Sequence, residues 1–246
     1  VLKLAVIGDP VDHSASPTLH RGFLDAAGIA GTYETIRVRS GEGAHAIEEL
    51  RAAGYTGLNV TTPLKEEAFA RADERDPIAR VTGAVNTLVL GPTIRGYNTD
   101  GIGALGALAS AGLVRIADRH VLVLGAGPTA RAAVAALVDA GATVTIWNRT
   151  QTKADAIVRD LAARAWTFEH GDADAYDAVF STLSPGVAIV DATLVRALHL
   201  TPIIVDANYA VRATLGKAIG RDDVADGAAM LAASARAAFD YFRAAS

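Results

Sequence analysis

Residues 121–150 read VLVLGAGPTARAAVAALVDAGATVTIWNRT, and this stretch decides the fold. A run of Val and Leu breaks on Gly125 and Gly127, an Ala-rich segment of helical spacing runs from Pro128 to Gly141, and a second β-branched run follows. That is the strand, helix and strand of one βαβ unit. Glycine at 125 and 127, with Ala126 between them, permits a tight turn and close backbone approach to a pyrophosphate, while the helix start offers N–H groups and partial positive charge. The third fingerprint position is not glycine, and Pro128 removes one donor while suiting a first helical turn. A glycine-rich turn without a ligand is the alternative, and the complete βαβ context weighs against it.

About twenty residues beyond this loop, where an NAD-binding fold places a carboxylate on the ribose hydroxyls, the chain has Asn148, Arg149 and Thr150. Arginine there can stack on adenine and pair with a 2′-phosphate that an acid would repel, so the stretch favours NADP over NAD. Thr150 also suits the cap of a following helix, and both readings are compatible.

Outward from this unit, short Val/Ile/Leu runs alternate with Ala-rich helical stretches along all 246 residues, the pattern of an α/β protein with mostly parallel sheets. Strands are expected at residues 2–8, 33–38, 57–61, 84–90, 178–182 and 202–207, and helices at 16–28, 41–54, 99–112 and 227–242. Composition narrows the function. With 23 basic and 27 acidic residues interspersed and a net charge of -4, there is no footprint for nucleic acid or an anionic membrane, and a small-molecule partner is expected. The absence of cysteine excludes disulfides, thiolate catalysis and cysteine-ligated metals. No apolar run reaches the roughly 18 residues of a membrane span, and a strand begins at once without a signal-peptide n-region, which points to the cytoplasm. Val1 in place of an initiator Met points to a trimmed chain.

Four polar stretches interrupt the first half: HSASPTLH (13–20), NVTTPLK (59–65), GAVNT (83–87) and GYNTD (96–100). Three follow or interrupt apolar strands, near the carboxyl edge where open α/β sheets bind ligands. Ser14, Ser16, Thr61, Asn86 and Thr99 supply neutral hydrogen-bonding groups, and Lys65 and Asp100 one amine and one carboxylate. That inventory suits a small polyhydroxylated acid, with a charged pair left for proton transfer. Each residue also has a plain structural reading: Ser16 as a helix N-cap, Asn86 as a turn residue, Asp100 as a cap, Pro63 as a helix start, and Glu66 and Glu67 as solvated helix charges. His13 and His20 lack a third ligand nearby, so a structural or supporting role is expected and no metal site.

With GDPVDHSASPTLH, NVTTPLK, GAVNT, GYNTDGIG, GAGPTARA, NRT, DANY and GAAML in this order, the chain resembles the shikimate dehydrogenase family, which reduces 3-dehydroshikimate to shikimate with NADPH on the route to aromatic amino acids. The resemblance implies a substrate domain over residues 1–100 completed by a C-terminal helix at 228–246, a Rossmann-type NADP domain over 101–227, and a cleft between the two. It implies catalytic roles for Lys65 and Asp100, substrate contacts from Ser14, Ser16, Thr61, Asn86 and Tyr209, and cofactor contacts from Gly125, Ala126, Gly127, Asn148, Arg149, Thr150, Thr182 and Met230. It implies a monomer or homodimer, and closure about the Gly-rich stretch TDGIGALG, whose glycines could equally serve close helix packing. Three departures are visible: Arg21 stands where the family has Asn, Ser234 where it has a substrate-contacting Gln, and no proline follows Tyr209. They leave quinate or an aminoshikimate-type acid as alternative substrates. A non-catalytic NADP-dependent sensor is a further alternative, against which the presence of both Lys65 and Asp100 argues.

Overall fold

The computed structural model describes residues 1–12, 14–161, 163–165 and 176–245. His13 lies outside the described residues. The chain divides into two units, Val1–Asp100 with Ser234–Ser246, and Gly101–Ala233.

The first unit runs β1 (Leu2–Gly8), α1 (Ser16–Ala27), β2 (Gly31–Arg37), α2 (Gly43–Ala52), β3 (Gly57–Val60), α3 (Lys65–Arg71), β4 (Glu74–Arg75), α4 (Pro77–Thr82), β5 (Thr87–Leu90) and β6 (Ile94–Tyr97). Six strands form one sheet in the order β2-β1-β3-β5-β6-β4. All pairings are parallel except those of β5, which runs antiparallel to β3 and to β6. Residues 91–93 join β5 to β6, and so short a link allows a hairpin and not a crossover. The period of two in the strands sorts the core. Ala5, Ile7, Leu58, Val60 and Leu88 pack with Ile47 of α2 and Ala68 of α3 on one face. Leu2, Leu4, Val6 and Val89 pack on the other with Leu24 of α1 and with Ala238, Phe239 and Phe242.

The second unit continues from α5 (Asp100–Ser110) through β7 (His120–Leu124), α6 (Pro128–Asp139), β8 (Thr143–Trp147), α7 (Gln151–Leu161), β9 (Arg164–Ala165), β10 (Ala178–Ser181), α8 (Ala192–Leu200), β11 (Ile203–Asp206), a single 3₁₀ turn (Ala210–Arg212), α9 (Leu215–Ile219) and α10 (Ala228–Ala244). Its five strands are all parallel in the order β11-β10-β7-β8-β9. Near-continuous apolar strands such as β7 and β10 are what burial on both faces demands: Val121, Val123, Ile146 and Phe180 meet α5, α6 and α7, and Leu122, Leu124, Val179 and Ile204 meet α8 and α9.

The division falls inside α10, six residues later than the return expected at 228. Ala229 and Met230 pack into the core of the second unit, whereas Ala238, Phe239 and Phe242 complete that of the first. Two glycines of TDGIGALG stand at close contacts within the second unit: a Cβ at Gly101 would lie 2.9 Å from the Ala132 carbonyl, and one at Gly106 2.5 Å from Ala233 Cβ. The expected strand at 84–90 is shortened to Thr87–Leu90, which places Asn86 directly ahead of the strand start.

Candidate functional site

The first unit gathers its polar residues at one sheet edge. Thr61 follows β3, Asn98, Thr99 and Asp100 follow β6, and Asn86 precedes β5. Because β5 runs against its neighbours, its start lies at the same edge as the carboxyl ends of β1, β3 and β6, where open α/β sheets bind ligands.

Lys65 and Asp100 meet there. Lys65 Nζ donates to Asp100 Oδ2 at 2.6 Å, and the two side chains are 17% and 8% exposed, so the pair is largely removed from water without being sealed. Asn86 Nδ2 donates to the other carboxylate oxygen, Asp100 Oδ1, at 2.7 Å. The backbone is held as firmly: the Lys65 carbonyl accepts from Val85 N at 2.9 Å, and Asn86 bonds through its own N–H to the Tyr97 carbonyl (3.0 Å) and through its carbonyl to Val60 N (2.8 Å). Lys65 is the first residue of α3, a position where a cation is mildly disfavoured by the helix dipole and where the Asp100 charge supplies the compensation. Pro63, expected to start this helix, lies instead in the turn before it, two residues ahead of the first helical residue.

Asn98 was not singled out from the sequence, though it stands within GYNTD. Its Oδ1 accepts from Asp100 N at 3.0 Å, and its Nδ2 donates to the Ala84 carbonyl at 3.0 Å and to Thr82 Oγ1 at 3.1 Å. It ties the start of α5 to the loop that carries Asn86, and the signal was an Asn two residues ahead of a helix. Thr99 donates its N–H to Asn86 Oδ1 at 3.0 Å and shares a 2.7 Å hydrogen bond with Ser234 Oγ.

Ser16 is not the N-cap expected of it. Ala15 caps α1, and Ser16 is its first residue, buried, with its N–H donated to Ser14 Oγ at 3.3 Å. The helix starts one residue earlier than a cap at Ser16 would set it, and Pro17 then falls in its first turn, where its missing N–H costs nothing. Thr61 Oγ1 has no hydrogen-bond partner among the described residues, although its N–H is held by the Ile7 carbonyl at 2.9 Å. Glu67 is not merely a solvated charge: its carboxylate accepts from Gly41 N and Gly43 N, both at 2.8 Å, at the start of α2. His20 is fully buried, stacked on Tyr33 at 4.4 Å, with neither ring nitrogen hydrogen-bonded. Burial lowers its pKa to about 4, as befits a neutral core histidine. Arg21 donates to the Tyr33 carbonyl at 3.0 Å and so ties α1 to β2.

In the second unit the turn between β7 and α6 has the form the glycines foretold. Gly125 has a φ of +106°, and a Cβ there would lie 2.4 Å from Thr182 Oγ1, so both backbone and space require glycine. Thr182, at the end of β10, donates its hydroxyl to the Leu124 carbonyl at 3.0 Å, bracing the loop from the neighbouring strand. These two loops flank the point where strand order reverses about β7. Gly127 is the N-cap of the twelve-residue α6 and carries no side-chain cap, which leaves the helix start open to an anion. At the end of β8, Asn148 Nδ2 donates to the Thr150 carbonyl at 2.8 Å, shaping the turn on which Arg149 and Thr150 stand exposed. Arg149 makes no ion pair among the described residues. Loop, helix start and free guanidinium fit a dinucleotide with a 2′-phosphate. Met230 is 8% exposed within the core. Tyr209 directly precedes the 3₁₀ turn.

Sequence reasoning also passed over Asp206. Its Oδ1 accepts from Asn208 N and Nδ2, and its Oδ2 from Thr214 N and Leu215 N, all at 2.8–3.1 Å. It is buried and organises the segment that carries Tyr209. Among the described residues no three His, Cys, Asp or Glu side chains group as metal ligands, and no helix is long and apolar enough to cross a membrane.

Known proteins resemble this chain over both of its units. The shikimate dehydrogenase substrate-binding domain matches residues 6–88, and the shikimate/quinate 5-dehydrogenase family matches residues 107–208. The chain is similar to the shikimate dehydrogenase (NADP(+)) of Methanococcoides burtonii, with 38% identity over 219 residues that cover 83% of this chain and 77% of the relative. The crystal structure of shikimate dehydrogenase from Aquifex aeolicus superimposes with a TM-score of 0.85 at 32% identity, covering 99% of this chain and 93% of that one. Shikimate 5-dehydrogenase from Thermus thermophilus, solved in complex with NADP(H) and shikimate, gives 0.83 at 32% identity over 99% and 94% of the two chains.

Proposed function

Because the chain belongs to the shikimate dehydrogenase family, we propose that it reduces 3-dehydroshikimate reversibly to shikimate with NADPH, on the route to aromatic amino acids and in the cytoplasm. The observation that carries this reading within the chain is the Lys65–Asp100 pair at 2.6 Å, with Asn86 on the second carboxylate oxygen.

The nicotinamide, when bound, supplies the hydride that converts the ring ketone to an alkoxide. Everything else falls to side chains. Lys65 Nζ donates the proton that completes the hydroxyl, and its charge stabilises the developing alkoxide. Asp100 accepts from the same ammonium, keeps it aimed, and receives a hydrogen bond from the substrate hydroxyl; in the reverse direction Lys65 takes the proton back. Ser14 and Ser16 hold the substrate carboxylate, Thr61 and Asn86 its hydroxyls, and Tyr209 completes the contacts. The Thr61 hydroxyl, without a hydrogen-bond partner among the described residues, supports its part, since such a donor is available to a ligand.

For the cofactor, Gly125, Ala126 and Gly127 with the start of α6 would hold the pyrophosphate, and Asn148, Arg149 and Thr150 would hold the 2′-phosphate. Thr182 and Met230 would serve the nicotinamide. Arg149, exposed and without an ion pair among the described residues, supports NADP over NAD. The test is NADPH oxidation followed by absorbance with 3-dehydroshikimate, and NADP reduction with shikimate and quinate compared. Turnover of quinate above that of shikimate, or of NADH above NADPH, would overturn the assignment.

A further inference from the structure

Three polar side chains lie across a sheet face that is otherwise apolar. Tyr33 on β2, Asn59 on β3 and Thr87 on β5 share the face that buries Leu4, Val6 and Val89: Asn59 stands in register with Val6 and with Thr87. Tyr33 is 1% and Thr87 0% exposed. Such groups are costly in a core unless each is hydrogen-bonded, and here each is bonded to the next. Tyr33 Oη donates to Asn59 Oδ1 at 2.7 Å, Asn59 Nδ2 to Thr87 Oγ1 at 3.3 Å, and Thr87 Oγ1 to Asn86 Oδ1 at 3.0 Å. Asn86 Nδ2 then donates to Asp100 Oδ1 at 2.7 Å.

All four bonds point the same way, and their direction is forced. Thr99 N–H can only donate, and it donates to Asn86 Oδ1, so the amide must turn Nδ2 towards Asp100. Thr87 must then donate to Asn86, which leaves its lone pair for Asn59 Nδ2 and Asn59 Oδ1 for the tyrosine hydroxyl. Co-directed hydrogen bonds polarise one another, and the last of them ends on a carboxylate. Amide nitrogens interrupt the chain, so it fixes and polarises without conducting protons. The Ser16 side chain also lies beside the Tyr33 hydroxyl, which brings the far end of the row back to the start of α1.

We propose that Thr87, with Asn59 and Tyr33 behind it, is a positioning residue whose hydrogen-bond relay anchors the Asp100 carboxylate against Lys65. This rests on the catalytic roles given above to Lys65 and Asp100. Without the Thr87 hydroxyl, Asn86 loses one of the donors that orient it, Asn59 loses its acceptor, and the bond from Asn86 to Asp100 weakens. A carboxylate that loses hydrogen-bond donation is more readily protonated, so the acid limb of kcat/KM moves to higher pH. Lys65 of α3 faces Asp100 directly, and His20 of α1 faces the far end through its stack on Tyr33.

The test compares wild type, Thr87→Val, Thr87→Ser and Tyr33→Phe, each checked for folding by circular dichroism, in pH profiles of 3-dehydroshikimate reduction. The same set is followed by ¹³C NMR titration of the Asp100 carboxyl, assigned with Asp100→Asn, and a His20→Phe background separates the imidazole from the carboxylate. The expected result for Thr87→Val is a kcat lower by roughly fivefold to tenfold with KM within about twofold, and an acid limb and Asp100 midpoint higher by about half to one pH unit. Thr87→Ser, which keeps the hydroxyl, restores both, and Tyr33→Phe shifts them in the same direction by less. A folded Thr87→Val with the wild-type limb and midpoint overturns the relay. If Thr87→Val does not fold, Tyr33→Phe decides in the same way. Wild-type protein without 3-dehydroshikimate reductase activity would refute the proposed function, and the NMR titration would still decide the relay.

Discussion

Replacing Lys65 by Met keeps the length and apolar stem of the side chain and removes only its charge. The expected effect on stability follows from the pair's surroundings. Breaking a fully buried ion pair costs about 3–5 kcal/mol, because the remaining charge is left without compensation. Here Asp100 keeps the Asn86 hydrogen bond, and Lys65 is 17% exposed, so the cost of Lys65→Met falls to about 2–4 kcal/mol. Asp100→Asn leaves the ammonium, which can swing towards water on its flexible stem, and costs about 1–2 kcal/mol. The double variant has no stranded charge, and its loss is smaller than the sum of the singles, with a coupling of about 2 kcal/mol. Activity behaves differently. Each single lowers kcat by roughly 10²- to 10⁴-fold, and the double recovers none of it, because the proton donor is gone whatever the stability. Urea unfolding of the four proteins followed by circular dichroism, with steady-state reduction of 3-dehydroshikimate alongside, measures both. A coupling below about 0.5 kcal/mol would refute the electrostatic account of the pair, and wild-type kcat in Lys65→Met would refute its chemical role.

Arg149→Ala is expected to raise KM for NADPH by about tenfold to a hundredfold, the worth of one charge-assisted contact to phosphate, while leaving KM for NADH nearly unchanged; initial rates with the two cofactors test it. Gly125→Ala must adopt a φ of +106° and set a Cβ 2.4 Å from Thr182 Oγ1, so NADPH binding by fluorescence titration should be lost, and adding Thr182→Ala should relieve the collision without restoring wild-type affinity, since the backbone strain remains. His20 titrates at about 4 in the folded chain against an ordinary 6.5, a depressed value, so the stability it confers is complete above pH 6.5 and is lost as pH falls towards 4. That difference amounts to about 3 kcal/mol, and urea midpoints against pH should fall less steeply over this window in His20→Phe than in wild type.

Much of this molecule was legible because its signals are local. A βαβ unit announces itself through a change of period and two glycines, and the structure needs Gly125 for the tight turn the sequence implied and for a close approach to Thr182 that it did not. The residues quoted for chemistry at 59–65, 83–87 and 96–100 do converge, and Lys65 and Asp100 meet. What escaped depends on partners distant in sequence. That Glu67 serves two N–H groups at the start of α2 requires knowing that α2 and α3 are neighbours, and the antiparallel direction of β5, which puts Asn86 at the functional edge, follows from a three-residue link. Asn59 and Asn98 stood inside the quoted motifs and were passed over, since the polarity of a strand residue acquires meaning only when the groups opposite it are known. Ser16 misled for the opposite reason: its local signature as an N-cap was sound, but the cap is Ala15, and Ser16 is already the first helical residue with its N–H donated to Ser14 Oγ.

Two of the three departures from the family pattern take on different weights once their contacts are known. Arg21 bonds to the backbone carbonyl of Tyr33 on β2, so any cation of similar reach would serve, and its guanidinium is not a member of the row of side-chain hydrogen bonds that runs from the Tyr33 hydroxyl to Asp100. Ser234 is another matter. Its hydroxyl is engaged with Thr99 Oγ1, which in turn donates to Asn86 Oδ1 at 3.2 Å, and Asn86 donates to Asp100. A glutamine at 234 would offer an amide to a ligand, whereas this serine offers its hydroxyl to the protein. Its contribution has therefore moved from substrate contact to bracing the group that holds the carboxylate. It follows that Ser234→Ala should act chiefly through kcat, by loosening Asn86, and Ser234→Gln chiefly through KM, by adding a donor and removing a brace. Steady-state constants for the two variants separate these effects. Equal changes in KM with kcat untouched in both would mean that Ser234 contacts substrate after all.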